Sequence, residues 1–383
     1  AHLLVQVNLH RQRLDDAWDL AVMGSKHPVT HWDSLMRTAQ VALFEGDFET
    51  ASEALAQLRK APSGDFGRIP RDPVQLHDMA AQELWERGQK QEAVRKWEEG
   101  VRAYPEDQTL ATEWVRHRVL LEGLRSGALG SLQTIKTQQV VSGVVGALLR
   151  AGELDLAANF SQNTLGRGYL SPYTLYGMVR AGRAEDLTPL AVYQNLDGAV
   201  HLASAAAWFN YPSLLQQAFT GLSGSWRAAF EAVLSGRAVQ EEDVWALDSL
   251  TARWADVGCL NLLDAAVSSF TVGVEAGQAR IAWLLYQSGQ TPAALERALK
   301  APMQPDSREV LGLVAAEQGD PETAAQFLVE RALAGPAPVR VYYRAAQTFR
   351  KLGRQAEARE LIQLGLKQRP HSSLLKRELS VSR

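Results

Sequence analysis

Three places in the sequence hold side chains at spacings that chemistry uses. His27 and His31 are four residues apart with Asp33 close by, a spacing that binds a divalent metal when one helix face carries both imidazoles. Pro28 stands between them and marks a turn, so no metal site is expected there. Gly166 and Gly168 supply two glycines of a dinucleotide-binding turn, but the third glycine and the preceding strand are missing. In GLSGSW, Gly221–Trp226, a glycine follows Ser223 directly and no strand precedes it, whereas a nucleophile elbow needs a strand, a spacer and then the glycine. There is no Gly-rich phosphate loop ending in Lys-Ser/Thr and no His-Glu-x-x-His. Cys259 is the only cysteine, which excludes an internal disulfide and a cysteine-cluster metal site. Its apolar setting, GCLNLLDAAV, predicts a buried, inert thiol. The expectation is a chain that is not an enzyme, with no catalytic, cofactor or metal site.

The elements that position the remaining side chains follow a repeat. A Gly, an Ala five residues on and a Pro seventeen residues after the Gly recur as Gly88/Ala93/Pro105, Gly319/Ala324/Pro336 and Gly353/Ala358/Pro370. Gly46/Ala51/Pro62 and Gly289/Ala294/Pro305 keep the pattern with the Pro one place early. In Ala80–Asp107, the residues Ala80, Ala81, Leu84 and Trp85 share one helical face, and Gly88 ends that helix in a left-handed turn. Ala93, Val94, Trp97 and Val101 then define a second amphipathic helix, closed by Tyr104-Pro105. The Ala after the Gly stands where two antiparallel helices cross most closely, and Trp97 fills the space one turn further on.

These marks, with a small residue inside the first helix (Ala81, Gly312, Ala346) and the 34-residue interval from Gly319 to Gly353, resemble the tetratricopeptide-repeat (TPR) family. The resemblance implies an all-α, right-handed α-α superhelix of about 11–12 helical hairpins. It covers roughly residues 30–107 and 275–370, with Ala17 and Pro28 as traces of an earlier repeat. It also implies a groove lined by the first helices of successive hairpins. In the C-terminal block these carry Trp283, Tyr286, Glu309, Arg340, Tyr343, Gln347 and Arg350, a set suited to a peptide with an apolar and an acidic residue. The carboxylate clamp of some TPR domains is incomplete here, since Asp306 and Val310 stand where basic or amide groups are wanted.

The pattern decays between about 108 and 274. Gly152/Ala157 keeps two marks, Gly182 keeps the turn, and Asn210, Gly236 and Gly258 read as turns between apolar stretches. The expected organisation is 1–125 (TPR-like repeats), 126–274 (degenerate hairpins) and 275–383 (TPR repeats with a capping helix). Lys60–Pro73, rich in Gly, Pro and charge, reads as an inserted loop; Gly123–Gln139 and Thr164–Pro172 read as breaks. The apolar run Val140–Val145 leads into LLRAG and reads as helix. Of the 10 tryptophans, Trp85, Trp97, Trp208, Trp226, Trp245 and Trp254 are expected mostly as core fillers.

A net charge of −3 with acids and bases interspersed gives no basic stripe for phosphate, so no nucleic-acid partner is expected. Arg340, Arg344, Arg350, Lys351 and Arg354 form a local basic cluster that reads as a solvated helix face. No stretch has the length of a transmembrane helix, so no membrane insertion is expected. Residues 1–10 lack the pattern of a secretory leader, which predicts a cytoplasmic protein. The sequence begins with Ala1 inside a repeat, which predicts a fragment or a processed form, and the latter would allow the periplasm. Three functions suit such a chain: an interaction scaffold for a peptide or partner protein, a ligand-sensing module of a bacterial signalling protein, or an envelope-assembly adaptor.

Overall fold

A computed structural model describes residues 73–86, 89–105, 107–122, 137–162, 172–183 and 196–381, with isolated positions between 35 and 57. Ala17, His27, Pro28, His31, Asp33, Gly46, Pro62, most of Lys60–Pro73, Gly88, most of Gly123–Gln139 and the Gly166/Gly168 pair lie outside the described residues. Among the described residues there are 18 α-helices and no strand. Packing groups the chain into two units, Val94–Ser307 and a second made of Ala1–Ala93 with Arg308–Arg383.

In the first of these units, α2 (Lys90–Ala103) supplies its residues from Val94 onward. It buries Val94, Trp97 and Val101, the predicted apolar face. The chain leaves the helix at Tyr104-Pro105, and the Asp107 carboxylate accepts the Leu110 N–H at 2.8 Å, capping α3 (Gln108–Glu122). Next come α4 (Thr137–Arg150), which includes the Val140–Val145 run, α5 (Leu154–Gln162) and α6 (Pro172–Arg180). Each packs on its predecessor, and α4 also packs on α6. Gly177 in α6 allows this approach, since a Cβ there would stand 2.8 Å from the Ala157 carbonyl oxygen of α5.

The rest of this unit is α7 (Leu196–Trp208), α8 (Pro212–Gly221), α9 (Gly224–Ser235), α10 (Val244–Val257), α11 (Leu260–Ala266), α12 (Val274–Gln287) and α13 (Thr291–Lys300). The turns fall where the sequence predicts them. Gly152, Gly182, Asn210, Gly236 and Gly258 all have positive φ, as does Gly289 between α12 and α13. At Gly289 (φ 79°) the Gly289 and Gln290 N–H groups donate to Tyr286 and Leu285 carbonyls, both at 2.9 Å. This closes α12 in a conformation that a side chain would strain. Pro212 and Pro292 sit in the first turns of α8 and α13, where a missing N–H costs no helical bond.

The second unit includes α1 (Pro73–Glu86), α15 (Pro321–Leu333), α16 (Val339–Lys351), α17 (Gln355–Gln368) and α18 (Ser373–Val381). It also takes the part of α14 (Pro305–Glu317) from Arg308 onward. Gly319 and Gly353 make the left-handed turns between α14 and α15 and between α16 and α17. Gly312 is required by the first crossing, because a Cβ would meet Leu328 Cγ at 2.7 Å. Ala324 and Ala358, the residues five past each turn, are fully buried. Ala358→Leu is therefore expected to overpack the junction of α16 and α17 and to lower stability by about 1–3 kcal/mol. A thermal melt equal to wild type would count against this repeat register.

Candidate functional site

The residues predicted to line the C-terminal groove are mostly covered. On α12, Trp283 and Tyr286 are 5% and 3% exposed and stack on each other, ring centroids 5.9 Å apart. On α14, Glu309 is 1% exposed and accepts a charge-assisted bond from Arg340 Nε at 2.5 Å, with Arg331 Nε at 4.0 Å. Tyr343 is buried on α16, and its hydroxyl accepts from Gln347 Nε2. Gln347 Oε1 accepts in turn from Arg344 Nη1 at 3.3 Å. Arg350 pairs with the Glu378 carboxylate of α18 and donates to its backbone carbonyl at 3.1 Å. The structure thus joins Arg340 with Glu309 and Tyr343 with Gln347. Arg344, Gln347 and Arg350 keep partly accessible side chains along α16.

The basic cluster differs from a plain solvated face. Arg340 and Arg350 turn toward carboxylates, whereas Arg354 pairs with Glu357 at 2.9 Å on the surface and lies 4.5 Å over the Phe349 ring. The physical reason is that Glu309 is buried beside Arg340, and a buried carboxylate needs a cation with hydrogen-bond geometry.

Sequence reasoning missed a larger polar cluster in the Val94–Ser307 unit. Asp256, in the last turn of α10, receives bonds from three other helices. Arg116 Nη1 of α3 donates to Oδ2 at 3.0 Å, and the Tyr173 hydroxyl of α6 donates to the same oxygen at 2.6 Å. Arg150, at the end of α4, donates from Nε to the Asp256 backbone carbonyl at 2.6 Å and from Nη2 to Oδ1. Arg116 also pairs with Glu113 and donates to the Tyr173 hydroxyl. His117 stacks on Trp97 at 4.0 Å, and its Nδ1–H donates to the Glu113 carbonyl at 2.9 Å. The Asp256 carboxyl is 32% exposed while both guanidiniums are buried.

The electrostatics follow from this placement. Burial opposes ionisation of Asp256, but Arg116 and Arg150 outweigh it and hold the carboxyl below its ordinary value. Burial, then Arg116, lowers Arg150 to about 10, so it stays charged at neutral pH. Burial, then Arg116 and Arg150, holds His117 well below its ordinary value and keeps it neutral. Cys259 is buried and its thiol is pushed up by burial, the inert state predicted. The sequence does carry one signal for this cluster. An acid in the last turn of a helix opposes the macrodipole and is expected there only with a cation beside it.

Trp85, Trp97, Trp254 and Trp283 are core residues, and Trp208 and Trp226 are half-buried. Trp245 departs from the core expectation at 45% exposed, its ring T-shaped on Trp226 at 5.4 Å. Among the described residues, no group of three or more His, Cys, Asp or Glu is placed to hold a metal, and no helix is long and apolar enough to cross a membrane.

Antiparallel hairpins closed by left-handed turns, with small residues at the crossings, define a helical-repeat protein. Residues 279–334 match the tetratricopeptide repeat family model. This class typically serves as protein-interaction scaffolds. No curated protein matches the sequence. The chain is similar to a structure of the APC/C hetero-tetramer Cut9–Hcn1, with 12% identity over 99% of this chain and 88% of that one, TM-score 0.31. It is similar to yeast Tom70 at 13% identity over 98% and 91% of the two chains, TM-score 0.26. A pentatricopeptide repeat protein, PPR10, solved with an 18-nucleotide RNA element, is 13% identical over 96% of this chain and 65% of that one, TM-score 0.29.

Proposed function

We propose that this chain is a non-enzymatic scaffold that binds a peptide or partner protein through the first helices of its C-terminal hairpins. The observation that carries the reading is the polar row on α16. Arg344 and Gln347 are hydrogen-bonded to each other, and Gln347 to Tyr343, while Arg344, Gln347 and Arg350 remain partly accessible. Such a row is held in one geometry before a partner arrives, which lowers the ordering cost of binding. Arginine flanked by aromatic side chains is the chemistry that concentrates interface energy. Glu309 and Arg340 support the row from below as a buried ion pair.

The test avoids the buried members, whose truncation would disturb packing. Partners are captured from a cell extract on immobilised wild type and on Arg344→Glu/Gln347→Ala, with circular dichroism as the check on folding. The captured partner is expected to bind the variant about tenfold or more weakly. Equal recovery of the same partners would remove α16 from the binding surface.

A further inference from the structure

The donors around Asp256 come from one continuous run of helices, and the carboxylate does not. Arg116, Arg150 and Tyr173 belong to α3, α4 and α6, which pack through α3 on α4 and α4 on α6. Asp256 reaches them from α10, more than 80 residues further along the chain. Three donor side chains on mutually packed helices form a preset cradle for one planar, singly charged acceptor. Two features mark the cradle as more than a filled ion pair. Arg150, its side chain 1% exposed, has a buried Nη1 with no hydrogen-bond partner, and Arg116 Nε is likewise unpartnered. The occupant keeps 32% of its side chain open to solvent, against 6% for Arg116 and 1% for Arg150.

We propose that Arg116, Arg150 and Tyr173 form a carboxylate-recognition site that the chain fills with its own Asp256, and that it accepts the acidic side chain of a partner when the Asp256 side chain turns out to solvent. In the resting protein Asp256 stands in for the ligand carboxylate. A rival carboxylate must match its bonds to Arg116, Tyr173 and Arg150 Nη2, and it gains by reaching Arg150 Nη1 as well. Glu113 neutralises one of the two guanidiniums, so after Asp256 leaves the site keeps one net positive charge and selects a monoanion. His117, the other titratable group against this cluster, stays neutral and does not change that balance. This site is separate from the α16 surface proposed above, and neither reading depends on the other.

The probe is formate, the smallest carboxylate, tested against chloride at equal ionic strength on full-length wild type and Asp256→Gly. Formate is expected to raise the melting temperature of Asp256→Gly by about 2 °C or more over chloride as it saturates, and to leave wild type unchanged. The double variant Asp256→Gly/Arg150→Met is expected to lose that response. Absence of a formate-specific rise in Asp256→Gly, or an equal rise in wild type, overturns the proposal. If Asp256→Gly does not fold in chloride, refolding is compared in the two salts. Recovery of the folded circular dichroism spectrum in formate alone supports the site, and recovery in neither overturns it.

Discussion

Arg150→Ala is expected to destabilise the Val94–Ser307 unit strongly. Removing one member of a buried ion pair typically costs about 3–5 kcal/mol, because the other charge stays out of water without compensation. Asp256 keeps Arg116 and Tyr173 as partners and is partly exposed, which places the expected loss near 3 kcal/mol. The guanidinium also bonds the Asp256 backbone carbonyl at 2.6 Å, so the substitution removes an α4–α10 tie as well as a charge pair. Urea denaturation at pH 7 measures the effect. Arg227→Ala is the control: its Glu231 partner is i,i+4 on α9 and both side chains are about half exposed, so a loss of about 0.3–0.5 kcal/mol is expected. Arg150→Ala as mild as Arg227→Ala would show that the cluster is solvated and contributes no more than a surface pair.

The repeat was legible because its marks are local. Gly289, Gly319 and Gly353 are each fixed by one backbone requirement, a left-handed turn, that few residues other than glycine meet. Ala324 and Ala358 are fixed by one steric requirement at a helix crossing, and Gly312 by another. Even in the irregular middle, Gly152, Gly182, Asn210, Gly236 and Gly258 marked turns without the closing Pro. The side-chain chemistry was less legible because it is nonlocal. Nothing within a few residues of Asp256 shows that its partners are Arg116, Arg150 and Tyr173. Repeat register placed Arg340 in the groove, and only the structure shows it buried there against Glu309. Trp245 looked like its neighbours by periodicity and is exposed, because a helical face records where apolar residues lie and not whether another helix covers them. Contacts across the fold depend on how many helices intervene and how they pack, which no single-helix pattern contains.

Acid should unfold this protein earlier than its carboxylates alone require, and His117 is the reason. Burial excludes the imidazolium, and the neighbouring Arg116 and Arg150 repel it, so the folded-state value lies well below the ordinary 6.5. In the unfolded chain the same histidine protonates near 6.5. Below that pH the unfolded state binds a proton that the folded state refuses, so stability falls as pH falls. Well below pH 6.5 the loss approaches about 1.4 kcal/mol per pH unit, and it continues until the folded value is reached. Asp256 acts in a separate, lower window. Its folded value is depressed, so its contribution is fully present above the unfolded carboxylate value and disappears as pH falls through the folded one. His117→Phe separates the two. The phenyl ring can keep the stack on Trp97 but cannot take up a proton, so the decline that begins near pH 6.5 should flatten while the carboxylate-driven loss at lower pH remains. Urea midpoints for wild type and His117→Phe across that decline supply the comparison. Parallel curves would mean that His117 protonates in the folded protein as readily as in the unfolded one, and that water reaches the ring despite Trp97 and the two arginines around it.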